Sequence, residues 1–287
     1  MRLRLLLILL AAPALAAPVC SQALAGQPPK LLPNRNVRYG MPGEAAADPE
    51  KSKDAYLIDR PQYVLSYNDR RKTANWVAWQ LVSKDIGKVA RGSFEEDPDL
   101  PKGFQRVQFN TYTGSGLDRG HLCPSRDRSA DEKDNDAVFL MTNIIPQSPA
   151  CNQKGWERLE SYCRDLAEKG KELYVVAGPH GIGGTDDDGK KKLTIGRAAP
   201  FVSVPTSVWK VILVLDKGTN PNAKSRVIAV WMPNDNTVTD EWPKYRVSVA
   251  EVEKKTGLKF FPLVPEDVAK ELKEKVDDVK VVVPKRN

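Results

Sequence analysis

The chain has 287 residues, of which 41% are hydrophobic and 28% are charged. These fractions exclude a chain too polar to form a core, and the length fits one large domain or two small ones. The formal net charge of +7 suits a polyanionic partner, because a basic surface attracts phosphate groups. Charge alone does not decide the matter, since many soluble proteins are mildly basic without binding nucleic acid.

Residues 1–25 have the pattern of a secretory signal peptide. A basic start precedes an apolar run, residues 5–17, that is too short and too rich in alanine for a convincing membrane span. Cleavage after Ala16 or after Ala25 fits the small residues at both places. No second run of about 18 apolar residues follows. We therefore expect a secreted or periplasmic protein without stable membrane association.

The next segments predict an arm and then a hairpin. Residues 26–55 are rich in proline and small polar residues, which indicates an extended arm between the signal and a folded domain of residues 56–287. Residues 63–67 and 76–82 are rich in β-branched and aromatic side chains, and a polar turn separates them. We expect these two runs to form antiparallel strands.

Farther along the chain, strands and helices are mixed. Apolar runs bounded by turn residues predict strands at residues 138–145, 172–178, 208–215 and 226–232. Helical periodicity and capping residues predict helices at residues 152–169, 248–256 and 265–279. The segment 186–189, three aspartates and a glycine, lacks the ligand spacing of a calcium loop and predicts a flexible acidic loop. The sequence thus predicts an α+β fold, with a single domain and a central, largely antiparallel sheet flanked by helices.

The tetrapeptide Asp-Arg-Gly-His at residues 118–121 contains the first candidate for chemistry. The chain has only two histidines, and His121 is one of them. A histidine with its ordinary pKa of about 6.5 is a ready general base at neutral pH. An isolated histidine is more often a buried, hydrogen-bonded residue, so His121 alone is a modest signal.

A second group of polar residues lies on the predicted helix of residues 152–169. On a helical wheel, Asn152, Glu160 and Arg164 follow one rim of the apolar face. Taken alone, Asn152 would be a helix N-cap, and Glu160 with Arg164 would form an i,i+4 ion pair that contributes about 0.3–0.5 kcal/mol. The alternative is a site enclosed between the helix and a strand.

Three parts of the sequence together resemble the sugar-non-specific DNA/RNA endonucleases of the ββα-metal superfamily. They are residues 118–121, the segment 143–147 and the pattern from Asn152 to Glu160. The resemblance extends over about residues 56–262 and is closest to secreted cyanobacterial and enterobacterial nucleases. It implies a ββα-metal active-site motif, with hydrolysis of phosphodiester bonds in DNA and RNA, single- or double-stranded. It also implies Mg²⁺ as the cofactor, with Mn²⁺ as a substitute.

The resemblance assigns roles to individual residues. His121 would take the proton from the attacking water, Asn152 would be the one direct metal ligand, and Glu160 would hold a metal-bound water. Two arginines would contact the substrate: Arg91 would reach the scissile phosphate, and Arg164 would help to bind phosphate. Asn143 would orient His121, and Asp118 would hold either His121 or a metal-bound water. Arg119 would be mainly a structural residue.

Two other functions stay open at this point. One is a secreted nucleic-acid-binding protein without catalysis, although none of His121, Asn152 and Glu160 is replaced. The other is a phosphodiesterase for small cyclic or lipid phosphates, although the net positive charge of the chain favours polymeric phosphates. No base-reading motif is visible, which fits a nuclease that contacts mainly phosphates and has no sequence preference. A protein inhibitor of the nuclease is a further candidate partner.

The four cysteines are Cys20, Cys123, Cys151 and Cys163. If cleavage removes Cys20, three remain, and an exported protein favours disulfides among them. Cys123 and Cys151 flank the segments of His121 and Asn152, so we expect these two to form a disulfide and Cys163 to stay unpaired. The alternative is three reduced, packed thiols.

Overall fold

The computed structural model describes residues 33–283, so the predicted signal peptide and the last four residues lie outside the described part. Within it the chain forms thirteen strands: β1 (Tyr56–Asp59), β2 (Val64–Asn68), β3 (Thr73–Leu81), β4 (Asp118–His121), β5 (Ile144–Gln147), β6 (Lys171–His180), β7 (Gly184–Thr185), β8 (Lys191–Lys192), β9 (Thr194–Ile195), β10 (Val202–Ser203), β11 (Ser207–Asp216), β12 (Arg226–Pro233) and β13 (Arg246–Val247). The α-helices of the same residues are α1 (Glu132–Val138), α2 (Glu157–Glu168), α3 (Val249–Thr256) and α4 (Glu266–Glu274). A π-helical segment, Cys151–Trp156, directly precedes α2. None of the described helices is long and apolar enough to cross a membrane.

Seven of these strands form one sheet in the order β1-β2-β3-β6-β11-β12-β13, and every neighbouring pair is antiparallel. The central strand β11 is buried along nearly its whole length, which requires cover on both faces of the sheet. The predicted α+β fold with a central antiparallel sheet is therefore confirmed. The predicted strands at residues 63–67, 76–82, 172–178, 208–215 and 226–232 correspond to β2, β3, β6, β11 and β12.

Each face of the sheet has its own apolar core, because successive side chains of a strand point to opposite faces. On one face, Trp79 of β3 packs in a cluster with Trp156 and Leu159 of the helical segment before and within α2. On the other face, Trp76 of β3 packs with residues of α3 and α4, among them Val252. The short hairpin of β4 and β5 lies on the first face, with α2, and it contains residues 118–121.

The predicted strand at residues 138–145 is wrong for most of its length. Helix α1 ends at Val138, a 3₁₀ turn occupies Met141–Asn143, and only Ile144 and Ile145 belong to β5. The side chain of Asn143 explains the difference, because its Nδ2 donates a hydrogen bond of 2.8 Å to the carbonyl of Val138. Five extended residues would separate those groups by about 16 Å, so the chain has to fold back.

Two helix boundaries also differ from the prediction. The backbone N–H of Asn152 already donates to the carbonyl of Ser148 at 2.9 Å, so Asn152 lies inside a helix and is not its N-cap. The predicted helix at residues 265–279 ends at Glu274, and residues 275–283 run as irregular chain. For residues 248–256 the prediction is confirmed, and the Ser248 hydroxyl caps α3 by accepting from the N–H of Glu251 at 3.1 Å.

Two segments that the sequence treats as peripheral are packed into the domain. Residues 33–55 of the predicted arm contain Val37 and Tyr39, which belong to the core on the α3–α4 side of the sheet. The predicted flexible loop at residues 186–189 is the turn between β7 and β8. Asp186 in this turn is 3% exposed and forms an ion pair with Lys192, so the loop is folded onto the protein.

The predicted disulfide between Cys123 and Cys151 is wrong, because Cys123, Cys151 and Cys163 are all free and buried. They are packed in the core cluster between the sheet and α2. The Sγ of Cys151 accepts a hydrogen bond from Gln147 at 3.3 Å. Burial raises the pKa of Cys151 to about 12 and that of Cys163 to about 12, and it also raises the pKa of Cys123. Each thiol therefore acts as a small apolar side chain.

These thiols should react only when the protein unfolds, because the thiolate is the nucleophile and burial suppresses it. We expect iodoacetamide at neutral pH to leave Cys123, Cys151 and Cys163 unmodified in the folded protein and to alkylate all three in urea. Peptide mapping by mass spectrometry measures each position. Recovery of a peptide pair joined through Cys123 and Cys151 would contradict the structure.

Candidate active site

The hairpin of β4 and β5 places residues 118–121 next to the helical segment that contains Asn152. Gly120 pairs with Ile145, and His121 pairs with Ile144. A Cβ atom at Gly120 would lie 2.1 Å from Oε1 of Gln147, so only glycine fits between the flanking Arg119 and His121. The hairpin therefore holds Asp118 and His121 at opposite ends of one short, rigid strand.

The imidazole of His121 packs between two phenylalanine rings. Its ring centroid lies 5.4 Å from that of Phe94 and 4.7 Å from that of Phe139. Burial, together with the positive charge of Arg91, lowers the pKa of His121 to about 3. Among the described residues nothing hydrogen-bonds its buried Nε2 atom. A neutral imidazole with an unpartnered nitrogen can accept a proton from a water at neutral pH.

Two arginines surround this histidine. The guanidinium of Arg91 is exposed and lies 5.4 Å from the ring centroid of Phe139, which also packs on His121. The predicted contact of Arg91 with the scissile phosphate stays a prediction. Arg119 donates from Nε and Nη2 to the carbonyl of Phe109 at 2.9 and 2.7 Å. It also lies 5.5 Å from the ring centroid of Phe94. Arg119 thus fixes the loop that leads into β4.

Asp118 contacts Asn152 and does not contact the histidine. Its Oδ2 atom accepts a hydrogen bond of 2.8 Å from Nδ2 of Asn152 and another of 2.8 Å from Nε2 of Gln153. Because Asp118 engages the amide nitrogen of Asn152, the amide carbonyl oxygen is left as the group available to a ligand. Asn152 lies in the π-helical segment Cys151–Trp156, a distortion that often occurs at functional sites.

These residues fit a hard divalent metal held by few protein oxygens. No cluster of three or more His, Cys, Asp or Glu side chains suited to a metal occurs in residues 33–283. A Mg²⁺ ion keeps most of its waters and needs only one or two protein oxygens. The Oδ1 atom of Asn152, whose amide is oriented by Asp118, would supply one such oxygen.

Asn143 supports His121 through the backbone. Its side chain accepts from the N–H of Cys123 at 2.9 Å and donates to the carbonyl of the same residue at 2.9 Å. Its own carbonyl accepts from the N–H of Leu122 at 3.0 Å. Asn143 therefore fixes the two residues that follow His121 and does not touch the ring in this structure.

Glu160 faces the sheet and contacts a lysine. Its Oε1 atom accepts from Nζ of Lys210 on β11 at 3.1 Å, and Lys210 is 1% exposed. The Lys210 ammonium also lies 4.0 Å from the ring centroid of Trp156. Burial raises the pKa of Glu160, although Lys210 opposes this shift. That Glu160 holds a metal-bound water stays a prediction.

Arg164 is buried against an aspartate. Its Nη1 atom lies 3.3 Å from Oδ1 of Asp127, which is 1% exposed, and Oδ2 of Asp127 accepts from the indole N–H of Trp79 at 2.9 Å. The ion pair connects α2 to the 3₁₀ turn that follows β4 and to β3 of the sheet. This is a structural contact, and phosphate binding by Arg164 stays a prediction.

Four residues near the site were not predicted from the sequence: Lys210, Asp127 and the two phenylalanines beside His121. Lys210 could have been found from the sequence, because it is a charged residue within the apolar run of residues 208–215 and a buried charge needs a partner. Asp127 lay in a mixed-charge stretch that resembles a solvated loop, and nothing local distinguishes it. Phe94 and Phe139 are remote in sequence from His121, so only the fold brings them to it.

The fold and this site define a hydrolase that acts on nucleic acids. The family model for DNA/RNA non-specific endonucleases matches residues 44–267. The chain therefore belongs to the DNA/RNA non-specific endonuclease family, and the predicted resemblance is confirmed. It is an endonuclease by class, which removes the alternative of a binding protein without catalysis and that of a phosphodiesterase for small molecules.

Individual relatives support the same assignment. The chain is 43% identical over 267 residues to a nuclease of the cyanobacterium Nostoc sp. (strain PCC 7120), covering 90% of this chain and 93% of that protein. It is 33% identical to human mitochondrial endonuclease G, with coverage of 79% and 73%. The crystal structure of the EndoG/EndoGI complex, described as revealing the mechanism of EndoG inhibition, matches with a TM-score of 0.67 at 28% identity, over 82% of this chain and 93% of that chain.

Removal of the Arg164 charge should destabilise the fold, because it leaves Asp127 buried without its ion-pair partner. We expect Arg164→Met to lower the free energy of unfolding by about 3–5 kcal/mol. Arg158→Met on the same helix removes a pair with Asp240 near the surface and should cost no more than about 1 kcal/mol. Urea unfolding followed by circular dichroism measures both. An unchanged stability of Arg164→Met, with a loss of substrate affinity, would instead favour the predicted phosphate contact.

Proposed function

We propose that this protein is an exported, Mg²⁺-dependent endonuclease that hydrolyses phosphodiester bonds in DNA and RNA without preference for sequence or sugar. One observation carries the proposal: strand β4 presents both His121, with a neutral and unpartnered ring nitrogen, and Asp118, which orients the amide of Asn152. The indole N–H of Trp156 donates to the His121 carbonyl at 3.3 Å, so the strand and the helical segment are joined at this point.

In the proposed reaction, His121 accepts a proton from the water that attacks the phosphorus. Burial lowers its pKa to about 3, so the imidazole is unprotonated at neutral pH but a weak base in the free protein. The negative charge of a bound phosphate would raise this pKa toward the working pH. Arg91, whose guanidinium lies 5.4 Å from the ring centroid of Phe139 and whose positive charge acts on His121, would neutralise negative charge on the phosphate. A divalent metal, which the family typically uses, would be held through Oδ1 of Asn152 and would supply further charge neutralisation and help for the leaving oxygen.

Three wider features support the rest of the proposal. The net charge of +7 favours a polyanionic substrate, and phosphate contacts carry little sequence information. The pattern of residues 1–25 favours export to the periplasm or the medium. A protein inhibitor is proposed as a partner, because the related EndoG has been crystallised in complex with EndoGI.

His121→Ala should abolish most hydrolysis while the protein still binds DNA, because the base acts only on the attacking water. Loss of a general base typically lowers the rate about 10²–10⁴-fold. The other histidine, His180, packs against Trp231 at the far end of β6, and His180→Ala is the matched control. Plasmid DNA and RNA are incubated with each variant, with and without EDTA, and analysed on gels. Near-normal turnover by His121→Ala would refute the site assignment.

Asn152→Ala should weaken occupancy by the metal and leave the base intact. We expect a higher Mg²⁺ concentration at half-maximal activity, with partial rescue by excess Mg²⁺ or Mn²⁺, because the variant loses a direct oxygen ligand. Asn222→Ala, in an exposed loop, is the control. The initial rate is measured against metal concentration for both variants. An unchanged midpoint for Asn152→Ala would count against its role as a ligand.

A further inference from the structure

A basic groove lies beside the candidate active site, outside the residues assigned to catalysis. It is a cavity of about 460 Å³ between residues 106–113 and residues 196–200. Its lining includes two arginines, Arg106 and Arg197, with the amides of Gln108 and Asn110, and contains no acidic side chain. Such a lining favours an anionic ligand that also offers hydrogen-bonding groups.

Neither arginine is neutralised by a carboxylate. Arg106 donates from Nε to the carbonyl of Asp97 at 2.9 Å and from Nη2 to those of Pro98 and Leu100 at 3.3 and 2.5 Å, and backbone carbonyls leave its full charge in place. The carboxylate of Asp97 is instead paired with Arg60. Arg197 is exposed and has no ion-pair partner within residues 33–283. The groove therefore carries two uncompensated positive charges.

Two exposed aromatic residues are direct chain neighbours of residues that line the groove. Phe109 lies between Gln108 and Asn110 and is 56% exposed, and Phe201 follows Pro200 and is 51% exposed. Single-stranded nucleic acid is bound by basic grooves whose aromatic rings stack on unpaired bases. Here two arginines line the groove, and two exposed aromatic residues are chain neighbours of its lining.

A buried apolar cluster supports the groove, and a series of side-chain contacts links it to His121. A separate buried cluster lies under both walls and joins Val107 and Tyr112 to Ile195 and Val202. From the first wall, the Phe109 carbonyl accepts from Arg119 at 2.7 Å, and Arg119 packs on Phe94, which in turn packs on His121. These contacts connect the first wall of the groove to the His121 site.

We propose that this groove is a subsite for single-stranded DNA or RNA, in which Arg106 and Arg197 contact phosphates and Phe109 and Phe201 stack on unpaired bases. The inference rests on the proposed function of the His121 site, since it extends the path of the same substrate. It predicts tighter binding of single strands than of duplexes, because a paired base cannot stack on a protein ring.

The test measures binding in EDTA, so its outcome does not depend on catalysis. Fluorescence anisotropy with a labelled single-stranded deoxyoligonucleotide, and with its duplex, gives the Kd at several salt concentrations. Arg197→Gln should flatten the plot of log Kd against log salt by about 0.7 for the single strand, the contribution of one phosphate contact. Arg38→Gln removes the same charge from an exposed position in the segment that covers the opposite face of the sheet, and Arg197→Lys keeps the charge.

The aromatic part is tested with the double variant Phe109→Ala, Phe201→Ala. Loss of base stacking should weaken single-strand binding at least about fivefold and affect the duplex much less. Leu193→Ala removes a side chain that is 58% exposed in the same region and has no aromatic ring, so it serves as the control. Thermal unfolding verifies that each variant is folded.

The proposal is overturned if Arg197→Gln has the salt dependence of Arg38→Gln, or if the double phenylalanine variant weakens single strand and duplex equally. It is supported if Arg197→Lys retains the original slope and the phenylalanine effect is confined to single strands. Failure of the His121 site would appear separately, as an unmodified protein that binds nucleic acid and does not cleave it when Mg²⁺ is added.

Discussion

A buried lysine constrains the arrangement of the whole active-site face. Lys210 lies in the middle of the central strand β11, and a charge at that depth is tolerated only with a partner of opposite charge. Glu160 of α2 is that partner, and the rings of Trp79 and Trp156 lie against the ammonium group. Because removal of either charge would leave the other unpaired, α2 has one favourable position on the sheet. The helical segment that precedes α2, with Asn152, is positioned as a consequence.

The candidate site then follows from short contacts around that fixed helix. Trp156 touches the Lys210 charge on one side and donates to the carbonyl of His121 on the other. Asp118, three residues before His121, holds the amide of Asn152. A single strand and a single helical segment thus carry the proposed base and the proposed metal ligand, and burial against the apolar rings of Phe94 and Phe139 favours the neutral imidazole. Preorganisation of this kind is what electrostatic catalysis requires.

The sequence was sufficient for the sheet and for the identity of the motif residues, because both depend on local patterns. Alternating apolar runs located β2, β3, β6, β11 and β12, and residues 118–121 with Asn152 and Glu160 indicated the family. Contacts between residues that are distant in the chain could not be predicted from the sequence. The side chain of Asn143 bonds to Val138 and Cys123, which turns a predicted strand into a 3₁₀ turn. The partners of Glu160 and Arg164 lie 50 and 37 residues away, whereas periodicity suggested a local pair.

The π-helical segment has a consequence for chain length. Its hydrogen bonds close over five residues where an α-helix uses four, so Cys151–Trp156 holds a surplus residue relative to α2. Deletion of one residue between Asn152 and Trp156 would allow the segment to relax into a regular α-helix while α2 kept its buried contacts. Asn152 would then rotate by about 100° around the helix axis, away from Asp118. The position of the proposed metal ligand therefore depends on the phase of the helix as well as on the residue itself, and a relative that is one residue shorter here would keep the fold and lose the contact between Asn152 and Asp118.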